Sequence, residues 1–432
     1  MRERFVVEGL AGKRVLRGDL PVSGAKNAAL KFLAATILFD DEVRFDNMPA
    51  IEDIHRMGEL LESSGATVRF EDHTMTVVPP AEWKPALDTA IAKRLRASIV
   101  PTGPMLADMG EVSFPFPGGC VLGERPIDLF LSGFEALGAS VEERDEQFHV
   151  RAKDGVLHGA HIFFPFVSVT GTETLMMAAT LAEGETVLEN AAMEPEIVAL
   201  AQMLNASGAH IKGAGTPVIR INGTAGKPLH ANGQTFTIPP DRIETGSFLV
   251  LAALAGDDVT ISQCEPTHVH SLLDLLLRAG VPLEVGDTFV RVQGSAATSP
   301  YKSISVRTHE YPGFPTDLQA LMAIFLTQAE GEATVLETIF DGRFRYADDL
   351  NRMGADITVM NPHRILVRGP KPLSRAKLES PDLRAGLAYI IAAAIASGVS
   401  HIDNAYVIDR GYEKIEDRLA GIGLSISREQ CE

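Results

Sequence analysis

Apolar residues recur three and four positions apart in Ile54–Leu61, Leu272–Leu277 and Ile415–Leu419, the spacing that gives a helix one buried stripe. Each run stops near a glycine, and an extended apolar stretch follows. The phrase recurs along the whole chain: Ser64-Gly65-Ala66-Thr67-Val68, Leu137-Gly138-Ala139-Ser140-Val141, Ser207-Gly208-Ala209-His210-Ile211, Ala279-Gly280-Val281-Pro282-Leu283, Met353-Gly354-Ala355-Asp356-Ile357 and Ile422-Gly423-Leu424-Ser425-Ile426. The glycines are spaced 73, 70, 72, 74 and 69 residues apart, a regularity that marks a sixfold repeat. Glycine is the usual residue just past a helix end, because it accepts positive φ without a Cβ clash.

Upstream of the phrase lies a second helix, rich in small residues and apolar nearly all round: Ala28–Leu38, Leu175–Leu181, Phe248–Leu254, Leu318–Leu326 and Leu387–Ile395. A helix without a polar face must be buried. Each unit therefore reads as strand, buried helix, strand, amphipathic helix, strand pair, an α/β organisation. Three units can close around three buried helices, so six predict two domains, which suits a chain of 432 residues. The buried helices start at Ser23–Asn27, Lys93–Ser98, Val169–Glu173, Asp241–Gly246, Phe314–Asp317 and Ser380–Arg384. Singly, each start is an ordinary cap. As a set they are equivalent helices whose positive ends converge and favour an anion. Lys26, Arg96 and Arg384 fall at three of them.

Composition sharpens this. The net charge of −18 leaves no general attraction for nucleic acid or an anionic membrane, so a basic anion site must be local. The longest apolar runs, Phe248–Ala255 and Leu387–Ala396, are too short to span a bilayer, and no secretory signal follows Met1. Three scattered cysteines exclude a disulfide framework and fit a reducing cytoplasm. No cluster has metal-site spacing; His268 and His270 read as a solvated turn.

One stretch is irregular: Phe114 to Pro126, whose three prolines and three glycines forbid a continuous helix or a central strand, with Gly118-Gly119-Cys120 at its centre. A free cysteine is usually a small core hydrophobe. Cys120, following two glycines on a surface loop, fits that explanation poorly, and Arg125 stands close enough in sequence to lower its pKa or to share an anionic ligand. Cys264 and Cys431 lack such surroundings.

The phrases Ser23-Gly24-Ala25-Lys26-Asn27-Ala28-Ala29-Leu30, Pro117-Gly118-Gly119-Cys120, Arg125-Pro126-Ile127-Asp128-Leu129 and Asp241-Arg242-Ile243-Glu244-Thr245-Gly246 resemble the UDP-N-acetylglucosamine 1-carboxyvinyltransferase family. So do Phe314-Pro315-Thr316-Asp317, Asp382-Leu383-Arg384-Ala385 and Ile408-Asp409-Arg410-Gly411-Tyr412, in the family's order and over almost the whole chain. The resemblance implies two inverse α/β barrel domains of three pseudo-symmetric units each. One would be discontinuous, residues 1–25 with 239–432, and the other would span 26–238 and carry the Cys120 loop, with the active site in the cleft between them. It also implies a reaction, transfer of the enolpyruvyl group of phosphoenolpyruvate to the 3′-hydroxyl of UDP-N-acetylglucosamine with release of phosphate, the first committed step of peptidoglycan synthesis. No metal, organic cofactor or obligate protein partner is implied.

Roles follow from the same resemblance. Cys120 would be the general acid and a nucleophile toward C2 of phosphoenolpyruvate, suited to both because a thiol titrates near neutrality. Asp317 would be the general base at the 3′-hydroxyl. Lys26, Arg125 and Arg410 would hold the phosphate and carboxylate of phosphoenolpyruvate, with Arg384 and Asn27 nearby. Arg96, Arg125, Pro126, Ile127, Asp128, Leu129, Phe166, Val167, Ser168, Val169, Asp317 and Ile339 would line the sugar nucleotide. Two positions depart from the family pattern: Phe166 stands where a basic residue is frequent, and Thr170-Gly171-Thr172 follows Val169 where glycine is frequent. The rival readings are a shikimate-pathway enolpyruvyl transferase, against which the Gly-Gly-Cys loop argues, and a non-catalytic sugar-nucleotide-binding regulator, which Phe166 favours and the retained site residues oppose.

Overall fold

Six small sheets of one design organise the chain, which is described here by a computed structural model covering residues 2–118, 127–294 and 300–431. Among the described residues, five sheets have four strands and one has three. In the sheet built on Val43–Asp46, that strand lies between parallel Thr235–Thr237 and antiparallel Thr74–Val78, and Thr67–Glu71 completes the edge. The other five repeat this order, except that in the sheet of Glu111–Pro115 a single parallel bridge, Ala86 to Ser113, takes the place of the edge strand.

The repeat glycines explain why the units are alike. Gly65, Gly138, Gly208, Gly280, Gly354 and Gly423 all have φ between 91° and 117°. In that left-handed region glycine alone among residues carries no steric penalty, so each amphipathic helix turns sharply there into the next strand.

Each sheet packs on a buried helix: Lys26–Ala35, Thr102–Met109, Val169–Thr180, Arg242–Ala255, Gln319–Gln328 and Leu383–Ile395. In Arg242–Ala255 every residue from Ile243 onward is buried. In Leu383–Ile395 the adjacent Ile390 and Ile391 are fully buried although branching at Cβ disfavours helix. That penalty is a few tenths of a kcal/mol, whereas burying each side chain contributes about 2 kcal/mol, so packing decides.

Contacts divide the chain into two units. Among the described residues, one holds the chain through Ser23 and from Pro240 onward, and the other holds Gly24 to Pro239. Each has three sheets and three buried helices. Two edge strands are exchanged relative to chain order. Leu16–Pro21 runs into the helix Lys26–Ala35 yet pairs with Gly256–Ser262; Thr235–Thr237 runs into Arg242–Ala255 yet pairs with Val43–Asp46. The first unit is closed by its N-terminal strand Arg2–Leu10, which lies between Ser397–Asp403 and Ser425–Cys431. Arg428 fixes that closure, reaching Glu3, Asp409 and Glu416 at 2.7–2.9 Å.

One expectation is corrected. Lys93–Ser98 does not start the second buried helix. That helix begins at Thr102, and Arg96 opens a short 3₁₀ turn, Arg96–Ile99, before it. Pro101 and Pro104 fix the later start, since proline is favoured in a first turn and not deeper.

Candidate active site

The starts of the three buried helices in the discontinuous unit carry its charged cluster. Asp241 caps Arg242–Ala255 by accepting from the N–H groups of Ile243 and Glu244, and Asp382 caps Leu383–Ile395 by accepting from those of Arg384 and Ala385. Between them, Thr316–Leu318 forms a 3₁₀ turn that leads into Gln319–Gln328 and presents Asp317. Asp317 is half-buried and lies against two buried guanidiniums, Arg343 at 2.7 Å and Arg384 at 3.6 Å. Loss of hydration alone would raise its pKa, but Arg384, Arg343 and Arg242 outweigh it and hold the carboxyl well below the ordinary range.

Arg384 is fastened on its other side. It donates to the Tyr412 hydroxyl at 3.0 Å, which in turn lies 3.2 Å from Ser247 Oγ. Burial would favour the neutral guanidine, but Tyr412, Asp317 and Asp241 keep Arg384 charged. Arg410 caps Ala405–Asp409, two residues before Tyr412. Forked guanidiniums, Arg384 in the first turn of a buried helix and Arg343 in the turn before Tyr346–Arg352, are suited to bind a carboxylate or phosphate, and the ionised Asp317 between them offers a proton acceptor.

Of the residues expected from sequence, Asp317 and Arg384 come together here; Arg343, Thr316 and Glu337, which were not among the expected site residues, join them. Glu337 is fully buried and accepts hydrogen bonds from the backbone N–H of Ile339 (2.8 Å) and Phe340 (3.1 Å), fixing the turn that holds Ile339. The available signal was an acid directly after the apolar strand Gly331–Leu336, six residues before an arginine.

In the other unit, Lys26 is the first residue of Lys26–Ala35, Asn27 the second. Gly24 sets their position: a Cβ there would stand 1.9 Å from the carbonyl oxygen of Asn47, so only glycine permits this approach. Lys26 is buried and its Nζ lies 2.6 Å from Asp53, in the first turn of Glu52–Ser63. Ser168 caps Val169–Thr180 by accepting from Gly171 N. Leu129, in Asp128–Ala136, packs on Gly171 in the first turn of Val169–Thr180, where a Cβ would stand 2.6 Å from it. Phe166 is 56% exposed. Arg96 donates to the carbonyl oxygen of Pro117 at 3.0 Å and lies over the Phe116 ring at 5.9 Å, holding the start of the cysteine loop. Cys120, Arg125 and Pro126 lie outside the described residues.

Cys264, by contrast, is buried in the core, and burial pushes its thiol up to about 11. No group of His, Cys, Asp and Glu among the described residues is arranged to hold a metal ion, and no helix is long and apolar enough to cross a membrane.

The fold is shared with solved enolpyruvyl transferases. NikO from Streptomyces tendae matches with TM-score 0.87 at 23% identity over the full length of both chains. EPSP synthase from Acinetobacter baumannii matches with TM-score 0.74 at 18% identity, also over both full lengths. The family model of EPSP synthase (3-phosphoshikimate 1-carboxyvinyltransferase) covers residues 10–419, and the chain belongs to that family of enolpyruvyl transferases. Within it, the chain is 45% identical to a UDP-N-acetylglucosamine 1-carboxyvinyltransferase of Acidobacterium capsulatum, over 99% of this chain and 96% of that one. It is 43% identical to UDP-N-acetylglucosamine 1-carboxyvinyltransferase 2 of Bacillus subtilis over 98% and 96%.

Proposed function

We propose that the protein transfers the enolpyruvyl group of phosphoenolpyruvate to the 3′-hydroxyl of UDP-N-acetylglucosamine and releases phosphate. The observation that carries this reading is the ionised Asp317 held between Arg343 and Arg384. The relatives at 42–45% identity support the acceptor; a solved EPSP synthase is only 18% identical.

In this reading the cations fix the anionic ends of phosphoenolpyruvate, with Lys26 in one unit and Arg384 and Arg410 in the other. The 3′-hydroxyl loses its proton to Asp317 as its oxygen bonds to C2, while C3 gains a proton from Cys120. The tetrahedral adduct then returns a proton from C3 and expels phosphate, which restores the enol ether on the new oxygen. Phe166 contacts the nucleotide where a basic residue is frequent in the family. The protein works in the cytoplasm, where its three cysteines stay reduced.

The test is phosphate release from phosphoenolpyruvate. It is expected with UDP-N-acetylglucosamine and not without it. Release with shikimate 3-phosphate instead would falsify the assignment.

A further inference from the structure

Glu337 is a fully buried carboxylate near the site, and among the described residues it makes no direct ion pair. Its Oε1 accepts from Ile339 N at 2.8 Å, Phe340 N at 3.1 Å and Thr308 Oγ1 at 3.1 Å. Its Oε2 accepts from Thr316 Oγ1 at 2.7 Å. The same Thr316 hydroxyl meets Arg343 Nη1 at 2.6 Å, while Arg343 Nη2 reaches Asp317 at 2.7 Å. Donor chemistry fixes the direction of this chain. A guanidinium only donates, so the hydroxyl accepts from Arg343 and must spend its one proton on Glu337. Arg343 also lies over the Phe340 ring at 5.4 Å, so the turn from Glu337 to Arg343 folds back on itself.

Two groups with separate proposed tasks are therefore joined. One end of the chain is the backbone at Ile339, the nucleotide contact; the other is Asp317, the base. We propose that Glu337 is a positioning residue that ties the Ile339–Phe340 turn to Asp317 through Thr316 and Arg343, so that seating the sugar nucleotide and orienting the carboxylate are one event. This rests on the activity proposed above. The wiring itself is buried: Glu337 is fully enclosed and Arg343 nearly so, which leaves solvent little chance to substitute for a lost partner.

Thr316→Val, Thr316→Ser and Glu337→Gln separate the links. Thr316→Val deletes the relay hydroxyl at nearly constant volume and frees Arg343 from its anchor, and serine restores it. Carboxyl-carbon NMR of Asp317, which needs no turnover, is expected to show its pKa rising by a unit or more in Thr316→Val and returning in Thr316→Ser. In steady state, Thr316→Val is expected to lower kcat about tenfold or more with little change in KM for phosphoenolpyruvate, and to move the acid limb of kcat upward. Glu337→Gln, which weakens the cap on Ile339 and Phe340, is expected to raise KM for the nucleotide at least fivefold. An Asp317 titration unchanged in Thr316→Val overturns the proposal, as does serine failing to restore it. If wild-type protein does not turn over UDP-N-acetylglucosamine, the activity reading falls, and the Asp317 titration still decides the wiring.

Discussion

Asp317 and Arg343 lie 26 residues apart in the chain and meet through a 2.7 Å hydrogen bond, with Arg384 adding a second positive charge on the same carboxylate. A carboxyl whose pKa is depressed on folding contributes stability above its unfolded value, and that contribution is lost as pH falls through the folded one. Asp317→Asn is expected to cut turnover by about 10³-fold, within the range of a lost general base, and to lower stability at neutral pH more than at pH 3. Steady-state kinetics and thermal melts at the two pH values measure both. Turnover within tenfold of wild type would remove Asp317 from the chemistry.

Gly24 faces the backbone oxygen of Asn47, which cannot swing aside as a side chain would. Gly24→Ala is expected to cost about 2 kcal/mol, the usual scale of overpacking, and to displace the helix start that holds Lys26. Denaturant unfolding gives the first quantity, and the KM for phosphoenolpyruvate, expected to rise, reports the second. A variant with wild-type values of both would show that the strand end yields.

The thiols should react in a fixed order. Cys264 is enclosed by the core and its thiol titrates near 11, so at pH 8 it is protonated and inaccessible. An epoxide such as fosfomycin is expected to add once, at Cys120, and Cys120→Ser to abolish the adduct. Intact mass followed by peptide mapping reads this directly; an adduct on Cys264 would contradict it.

Glu173 is fully buried, with Lys31 at 3.1 Å. Burial pushes its carboxyl up to about 7; Lys31 opposes the shift, and Glu196 and Glu194 reinforce it. Because the folded state holds this proton more tightly, its stabilising contribution is complete below pH 4.5 and disappears as pH rises through 7. Stability is therefore expected to decline across that interval by up to about 3 kcal/mol from this group, and Glu173→Gln to flatten the decline. Urea unfolding at pH 5, 6, 7 and 8 provides the comparison, and parallel curves for the two proteins would refute it.

Much of the fold was legible because its constraints are local. Gly65 and its five counterparts need a left-handed backbone, and that need writes glycine into the sequence every seventy residues or so. The helix around Ile390 and Ile391 has no polar face, so its burial could be read without knowing what covers it. Lys93–Ser98 misled because charge and small residues imitate a cap, while the prolines at 101 and 104 set the true start.

By itself the sequence determined the sixfold repeat, the buried helices and most of the charged helix starts, since each depends on residues within a few turns of one another. Tertiary structure alone decided the exchange of Leu16–Pro21 with Thr235–Thr237 between sheets, the pairing of Lys26 with Asp53, and the partners of Asp317. Strand partners are chosen by backbone hydrogen bonds that any side chain allows, so no residue type announces them. A buried charge is tolerated only where a distant partner meets it, and Asp53 or Arg343 looks in sequence like any solvated charge until the chain has folded around it.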